Sequence, residues 1–197
     1  MTATETVDQS LPRRPKRADA CRNYDKVIAA ARESFAQRGA STSLEEIARR
    51  ADVGIGTLYR HFPNRQALLE AVYVDEVESL CRSATELDGQ PPWDAFTAWV
   101  HRLVGYMATK QALAAELFEC LGRDAPLFRS CRESLTAAGQ PLLERAQRAR
   151  VVRADTDLWE IIQMVGGIAK MSGAEPAQID HILTIALDGL RYRSDTT

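Results

Sequence analysis

The sequence predicts an all-α protein with about nine helices, and three observations support this fold class. Apolar residues recur at helical spacing in successive segments from about residue 23 to residue 192. Short stretches that contain glycine, proline or helix-capping residues separate these segments. The sequence has no strand-like alternation, glycine-rich phosphate loop or internal repeat. The chain is therefore expected to be built from helices.

Three helices are predicted near the N-terminus, of which the second and third are short. Apolar residues between Val27 and Phe35 mark a first helix over about 23–38, which Gly39 ends. Ser43 and Glu46 have the spacing of a capping box, in which each side chain accepts from the other residue's backbone N–H. A second helix is therefore expected at about 44–51, and a third at about 55–61.

Six further helices are predicted after these. The stretch Gly89-Gln90-Pro91-Pro92 is the clearest break in the chain. Apolar residues from Trp93 to Met107 mark a fifth helix after this break, and Gly139 and Pro141 predict a kink or a restart in a later one. The other predicted helices cover about 65–88, 112–121, 126–149, 157–172 and 176–192.

The composition argues against several classes of protein. A chain of 197 residues that is 45% hydrophobic is long enough to bury a substantial core. No apolar run reaches the roughly 18 to 20 residues of a membrane span, and the N-terminus lacks the apolar stretch of a signal peptide. The protein is therefore expected in the cytoplasm, with no membrane partner.

Catalytic, metal and cofactor sites are not indicated. The four cysteines are widely spaced and only three histidines accompany them, so we expect no zinc site and no disulfide framework. No carboxylate pair, and no nucleophile with a base, stands at a recognisable spacing. An enzyme is therefore not expected. A thiol redox sensor built from Cys120 and Cys131, which flank a break, is a minor hypothesis.

The charge is unevenly distributed although the net charge is only −2. Residues 1–70 hold 12 Lys and Arg against 9 Asp and Glu, and the excess is concentrated before the first helix. Residues 1–20 have no apolar period and include Pro12 and Pro15, which indicates a disordered arm. A basic arm before a folded domain is typical of polyanion binding, although it is also compatible with a merely soluble terminus.

Residues 44–61 have the geometry of a helix-turn-helix. Two short helices joined by a tight turn allow one helix to enter the DNA major groove while the other braces it. Around the third helix, Leu58 and Phe62 point toward the first two helices, whereas Gly56 and Arg60 point the opposite way. The absence of a side chain at Gly56 would allow close approach of the backbone to nucleic acid.

One string of residues in and after this segment is distinctive: Ile47-Ala48, Val53, Gly56-Thr57-Leu58-Tyr59-Arg60-His61-Phe62 and Asn64-Arg65-Gln66-Ala67-Leu68-Leu69. These residues resemble the signature of the tetracycline-repressor (TetR) family. The resemblance covers about residues 22–73 strongly, and the rest of the chain only in the number and order of helices. It implies a dimeric repressor with three domains: a basic arm over 1–20, a three-helix DNA-binding domain over 21–70, and a larger helical effector-binding and dimerisation domain over 71–197.

The resemblance assigns roles to individual residues. Ser43 caps the bracing helix, Ile55 and Thr57 reach bases or the nearby backbone, and phosphates are held by other residues of the same segment. The residues expected to contact double-stranded operator DNA are Arg13, Arg14, Lys16, Arg17, Ser43, Ile55, Gly56, Thr57, Tyr59, Arg60, His61 and Arg65.

Three positions of this region carry further expectations. Asp52 stands where the family commonly has glycine, and we expect it to adopt the left-handed conformation that the turn needs. Apolar Ile55 cannot donate to guanine but can contact a thymine methyl, which favours A·T pairs. A cation at Arg65 opposes the helix dipole, so a phosphate is its natural partner.

The C-terminal helices hold many bulky apolar side chains, which form either an ordinary core or a ligand cavity. The family resemblance favours a cavity between the fifth and eighth helices, filled by an apolar or aromatic effector. Its predicted lining is Trp93, Phe96, Val100, Leu103, Met107, Leu117, Phe118, Phe128, Cys131, Met164 and Ile168. A DNA-binding protein without an effector remains the alternative.

A homodimer is predicted through the last two helices. Apolar residues cover more than one side of each of these helices. Each helix must therefore bury two sides, one in its own subunit and one in a partner. The predicted interface consists of Trp159, Ile162, Ile182, Leu183, Leu187 and Leu190.

Overall fold

The computed structural model describes residues 15, 17–38, 42–171 and 173–192, and these residues form eight α-helices without a strand. The all-α prediction is confirmed. No helix in the described ranges is both long and apolar enough to cross a membrane. The helices are α1 (Ala18–Arg38), α2 (Leu44–Arg50), α3 (Ile55–His61), α4 (Arg65–Glu86), α5 (Pro92–Leu121), α6 (Pro126–Arg148), α7 (Leu158–Ala169) and α8 (Pro176–Gly189).

The chain divides into two compact units at Tyr73 and Val74, within α4. In the first unit, α1, α2 and α3 pack on one another around a core of fully buried aromatic and aliphatic side chains. Its largest members are Phe35, Ile47, Leu58, Phe62, Leu68 and Leu69. Since α2 and α3 have only seven residues each, their stability comes from this packing rather than from intrinsic helicity.

The second unit is organised around α5, which packs on both α6 and α7. The prediction of a separate helix near 112–121 is wrong, because α5 continues without a break from Pro92 to Leu121. The sequence between Met107 and Leu113 contains no glycine or proline, and its alanines favour an uninterrupted helix. The apolar side chains of α5 are therefore spread along a single 30-residue helix.

The predicted restart in α6 does not occur either. α6 runs from Pro126 to Arg148 with Pro141 inside it. Gly139 lies two residues before this proline and is buried. Its Cα faces the indole of Trp99 on α5. The glycine is thus explained by the close packing of two helices rather than by a helix end.

The loop between α6 and α7 is joined to the end of α8. Val152 and Arg191 form an isolated antiparallel bridge, and the Tyr192 N–H donates to the Val151 carbonyl at 3.1 Å. α7 is preceded by its N-cap residue Asp157, whose side chain accepts from the Glu160 N–H at 2.8 Å while the Glu160 carboxylate accepts from the Asp157 N–H at 3.0 Å. This reciprocal cap fixes the start of α7.

Candidate nucleic-acid interface

The turn between α2 and α3 has the predicted left-handed residue. Asp52 has φ 53°, and its carboxylate lies 3.8 Å from the ammonium group of Lys26 on α1. The backbone N–H groups of Asp52 and Val53 donate to carbonyls of α2. Because aspartate tolerates this conformation better than most residues, the turn closes without glycine.

Only the serine half of the predicted capping box is present in the described residues. Ser43 Oγ accepts from the Glu46 N–H at 3.2 Å and caps α2. The Glu46 carboxylate instead accepts from Arg38 at 2.5 Å and lies 3.8 Å from Arg50. Glu46 therefore ties the end of α1 to α2, which the spacing alone did not indicate.

α3 buries one side and exposes the other, as the helical projection predicts. Leu58 and Phe62 are completely buried, the latter with its ring 5.0 Å from that of Tyr24 on α1. Ile55 and Tyr59 are about two-fifths exposed, at 39% and 43%, which is unusual for large apolar side chains. The outward surface of α3 is thus apolar and aromatic as well as cationic.

Gly56 and Arg60 complete this outward surface. Both are exposed, and a β-carbon added to Gly56 would meet no atom of the described residues within 4 Å. The glycine is therefore not required by packing within the protein. The surface of α3 at Gly56 is therefore open to a partner that approaches from outside.

His61 lies at the edge of the exposed surface and is half-buried. Its ring makes an edge-on contact with Tyr24 at 6.1 Å between centroids. Burial lowers the pKa of His61 below its ordinary value, and the neighbouring Arg60 charge lowers it further. The imidazole of the free protein is consequently neutral at neutral pH.

Arg65 has a partner within the protein that the sequence did not reveal. Its guanidinium donates to the backbone carbonyl of Thr42, just before α2, and stacks 5.2 Å from the centroid of the Phe35 ring. Since the side chain is half-buried, this residue connects α4 to α1 and α2. Its predicted phosphate contact would be additional to this structural role.

Part of the predicted basic arm lies outside the described residues, namely Arg13, Arg14 and Lys16. Arg17 is described, and it is exposed immediately before α1. α1 itself begins at Ala18, five residues before the predicted start, with Asp19 in its first turn. An acidic residue there complements the helix dipole.

Comparison with known proteins decides the family. Residues 27–72 match the model of the bacterial regulatory proteins of the TetR family, and residues 91–192 match the C-terminal domain of SbtR-like transcriptional regulators. The chain belongs to the TetR family of transcriptional regulators. The helix-turn-helix of the TetR fold is therefore formed by α2 and α3.

Solved structures support this assignment along almost the whole chain. A TetR transcriptional regulator from Streptomyces coelicolor is 36% identical with a TM-score of 0.77, and the match covers 87% of this chain and 99% of that one. A TetR regulatory protein from Mycobacterium vanbaalenii is 33% identical with a TM-score of 0.71, and the match covers 90% of this chain and 99% of that one. GusR of Salmonella enterica, at 24% identity and a TM-score of 0.60, shares the fold over 90% of this chain and 99% of its own.

Seven of the eleven residues predicted to line an effector cavity in this TetR regulator are spread along α5, and the other four lie on α6 and α7. Trp93 and Phe118 are separated by about 37 Å of helix axis at 1.5 Å per residue. Trp93 stacks under Arg191 at 4.0 Å, whereas Phe118 packs edge-on against Phe128 of α6 at 4.9 Å. One small-molecule cavity does not reach from one end of this set to the other.

Other members of the predicted set lie between these ends. Phe96, Val100, Leu103 and Leu117 are completely buried, Cys131 and Ile168 are nearly so, and Met107 and Met164 are half-buried. Met107 packs toward α7, since a β-carbon on Gly166 would lie 3.9 Å from its sulfur. The middle of α5 is therefore where α6 and α7 both come close.

The predicted dimer residues fall into two groups. Ile162, Leu183, Leu187 and Leu190 are buried within their own subunit, at 8% exposure or less. Trp159 is 44% exposed and Ile182 is half-buried, while Ile185, which the prediction did not include, is 59% exposed. The outward apolar surface of α7 and α8 thus differs from the predicted set.

The cysteines are free thiols. Burial raises the pKa of the Cys131 thiol to about 11, with a further contribution from Cys81. Because the thiolate is the reactive form, Cys131 is poorly suited to redox sensing at neutral pH. Cys81, whose Sγ contacts the Ser134 carbonyl at 3.5 Å, faces the same part of α6.

Proposed function

We propose that this protein is a ligand-responsive transcriptional repressor that binds palindromic operator DNA as a homodimer and is released by a small effector with an apolar or aromatic body. The exposed surface of α3 is the observation that supports binding to operator DNA. Ile55, Gly56 and Arg60 face outward there, above a completely buried Leu58. A short helix anchored in this way presents its outward side chains to the major groove.

The side chains on this surface are suited to two kinds of DNA contact, to bases and to phosphates. Ile55 offers only apolar atoms, which suit a thymine methyl, and the Thr57 hydroxyl can bind a base edge or the backbone. Tyr59, Arg60 and His61 carry donors that suit phosphates, which position the helix without reading the sequence. The basic arm, including Arg17, adds diffuse charge or minor-groove contacts.

Dimerisation is assigned to the outward faces of α7 and α8. Trp159 and Ile185 are large apolar side chains exposed on these two helices, and Arg132 covers part of the Trp159 ring at 5.0 Å. A two-fold pairing of α7 and α8 buries both in a four-helix interface. Ile185→Glu is expected to give monomers by light scattering, whereas Ser130→Glu, at an exposed position on α6, leaves the dimer intact.

The effector is assigned to the middle and the C-terminal half of α5. Phe118 of α5 packs edge-on against Phe128 of α6, the neighbouring Leu117 is completely buried, and Met107 packs toward Gly166 of α7. Apolar and sulfur-containing side chains adapt to apolar ligands. Effector binding favours a dimer whose recognition helices no longer match the half-site spacing, so operator binding falls by population shift.

The deciding experiment is competition binding of the full-length protein to a palindromic operator against scrambled DNA, with and without a library of small apolar and aromatic compounds. A repressor released by an effector loses operator affinity with a compound that also raises its melting temperature. If the operator binds specifically but no compound changes either quantity, the protein is a DNA-binding regulator without an effector. Equal affinity for operator and scrambled DNA would contradict the proposal as a whole.

A further inference from the structure

A groove between α4 and α5 in the second unit shares no residue with the apolar region that we assign to the effector. It has a volume of about 240 Å³, and its lining includes two carboxylates, two guanidinium groups and two serine hydroxyls. Drug-sized ligands occupy pockets of roughly 300–1,000 Å³, so this groove suits a smaller molecule. Its polar lining also suits a different chemistry from that of an apolar effector.

The floor of this groove is fixed by hydrogen bonds between and within the two helices. Leu80 of α4 is buried, and its carbonyl accepts from Trp99 Nε1 of α5 at 3.3 Å and from the Ser83 hydroxyl at 2.7 Å. Ser83 is itself buried, at 5% exposure. Because the hydroxyl proton is used on this carbonyl, the Ser83 oxygen can only accept from another group. The groove therefore keeps its shape without a ligand.

One end of the groove has arginines with unused donors. Arg102 Nη1 donates to a Glu86 carboxylate oxygen at 3.1 Å and to the Ser83 carbonyl at 3.5 Å. Within the described part of the chain, Nε and Nη2 of Arg102 have no hydrogen-bond partner. Arg82 lies 3.8 Å from Glu78 and makes no hydrogen bond among the described residues. Guanidinium groups with free N–H donors bind a carboxylate through paired hydrogen bonds.

The other end of the groove is acidic. A five-residue connection joins α4 to α5, so the two helices are antiparallel neighbours. Tyr106, one turn after Arg102, therefore lies toward the N-terminal part of α4, where Glu76 lines the groove. Glu76 is half-buried and stands ten residues before Glu86, which is about 15 Å along the helix axis. A carboxylate at this place suits an ammonium group.

The order of the charges argues against a ligand of one sign. Carboxylates repel a simple anion, and guanidinium groups repel a simple cation. Leu80 lies between Glu76 and Glu86 on the same side of α4, and the Tyr106 ring opposite is 3% exposed, so an apolar floor separates the two ends. A linear molecule with a carboxylate, a few methylene groups and an ammonium group matches this order.

We propose that the groove between α4 and α5 binds a small linear zwitterion, with its carboxylate on Arg102 and Arg82 and its ammonium group on Glu76. Its methylene chain lies over Leu80 and Tyr106. An amino acid whose amino group stands at the end of a short chain has this chemistry. The groove is thus a second ligand site, which does not depend on the apolar effector of the proposed function.

The test uses the full-length protein without DNA and 6-aminohexanoate as the probe. Calorimetric titration compares this zwitterion with hexanoate, which lacks the ammonium group, and with hexylamine, which lacks the carboxylate. The zwitterion is expected to bind the wild type about tenfold more tightly than either of them, because each missing charge removes a charge-assisted hydrogen bond.

Two variants assign the ends of the probe. Arg102→Gln is expected to weaken binding of 6-aminohexanoate about tenfold and to bind hexylamine no more weakly than the wild type, since hexylamine has no carboxylate. Glu76→Gln is expected to weaken binding of 6-aminohexanoate and to bind hexanoate no more weakly. A merely structural role of either residue would weaken all three probes alike. Arg153→Gln is the matched control, because it removes an exposed arginine that is paired with Asp155 in the same unit.

A steric test is independent of these charges. Ser79 is exposed at the rim of the groove, so Ser79→Trp is expected to fold and to block binding of 6-aminohexanoate. Ser130→Trp, at an exposed position on α6, is expected to bind the probe like the wild type. Melting temperatures identify any variant that does not fold. If Arg102→Gln does not fold, Arg82→Gln takes its place.

Equal binding of the three probes, binding that Ser79→Trp leaves unchanged, or no binding of 6-aminohexanoate at millimolar concentration would overturn the inference. Tighter binding of hexanoate than of the zwitterion would also overturn it, because the groove would then be a simple anion site. None of these results bears on operator release by an apolar compound. The inference and the proposed function can therefore fail independently.

Discussion

A β-carbon added to Gly139 would lie 2.9 Å from Cζ2 of Trp99 and closer still to Cη2. Trp99 is completely buried, and its Nε1 donates to the Leu80 carbonyl of α4 at 3.3 Å. The indole therefore cannot move away from the glycine without breaking a hydrogen bond to a third helix. This single contact fixes the approach of α6 to α5.

Gly139→Ala is expected to lower the free energy of unfolding by about 1–3 kcal/mol, through overpacking against the indole. The matched control is Gly105→Ala on α5, where an added β-carbon would meet no described atom within 4 Å. That substitution is expected to raise the free energy of unfolding by about 0.5–1 kcal/mol, as alanine does in an exposed helix position. Urea unfolding measures both, and stabilisation by Gly139→Ala would contradict this account of the contact.

The turn before α3 provides a second stability test. Asp52→Ala is expected to cost about 1–2 kcal/mol, because alanine resists the left-handed conformation, whereas Asp52→Gly keeps the turn with little loss. Lys26→Ala separates the backbone effect from the exposed ion pair, which contributes little. Thermal unfolding is the measurement, and equal losses from Asp52→Ala and Lys26→Ala would assign the effect to the ion pair instead.

Much of the fold can be predicted from the sequence, because helix ends and turns depend on residues that are close together in the chain. The break at 89–92 was predicted from its glycine and prolines, and the left-handed Asp52 from the glycine that the family commonly has at this position; both occur as expected. The continuity of α5, the role of Gly139 and the Thr42 contact of Arg65 depend on which helices pack together. A helical repeat shows which residues are apolar, but it does not tell a buried Leu187 from an exposed Ile185 when both sides of α8 are apolar.

Arg60 and Arg65 are expected to differ although both were predicted to bind DNA. Arg60→Ala should leave the free energy of unfolding within about 0.5 kcal/mol of the wild type and make the salt dependence of DNA binding shallower by about one unit. Arg65→Ala should also destabilise the protein by about 1–2 kcal/mol, since the Thr42 carbonyl loses a charged donor and Phe35 loses its cover. Unfolding curves and binding at several salt concentrations separate the two effects; identical behaviour of both variants would exclude the structural role of Arg65.

His61 gives an expected pH dependence. Its pKa is lowered in the free protein by burial and by Arg60, so the neutral imidazole predominates at neutral pH. A phosphate beside it raises this pKa in the complex, and DNA binding then takes up a proton. The affinity for operator DNA should therefore rise as the pH falls from the higher pKa of His61 in the complex toward its lower pKa in the free protein.

The measurement is operator affinity between about pH 5.5 and pH 8 for the wild type and His61→Gln. The variant should lose the rise at acid pH while keeping most of its affinity at pH 8. The other described histidines, His101 and His181, belong to the second unit and are unchanged in this comparison. A rise of the same size in His61→Gln would place the titrating group elsewhere.

The last prediction concerns which side chains read the operator sequence. Ile55 is 39% exposed in the first turn of α3, and Thr57 is half-buried two residues later with its hydroxyl near Gly54. An apolar side chain distinguishes thymine by its methyl group, and a hydroxyl binds several base edges. Ile55→Ala and Thr57→Val are therefore expected to change the preference at a few base pairs by roughly 1 kcal/mol or more and to leave the salt slope nearly unchanged.

Arg60→Ala provides the contrast, since losing a phosphate contact weakens binding to operator and to scrambled DNA by similar factors. Competition against single-base operator variants, with half-sites about one helical turn apart, measures the preference at each position. Equal loss of preference in Ile55→Ala and Arg60→Ala would mean that α3 does not enter the groove by its first turn.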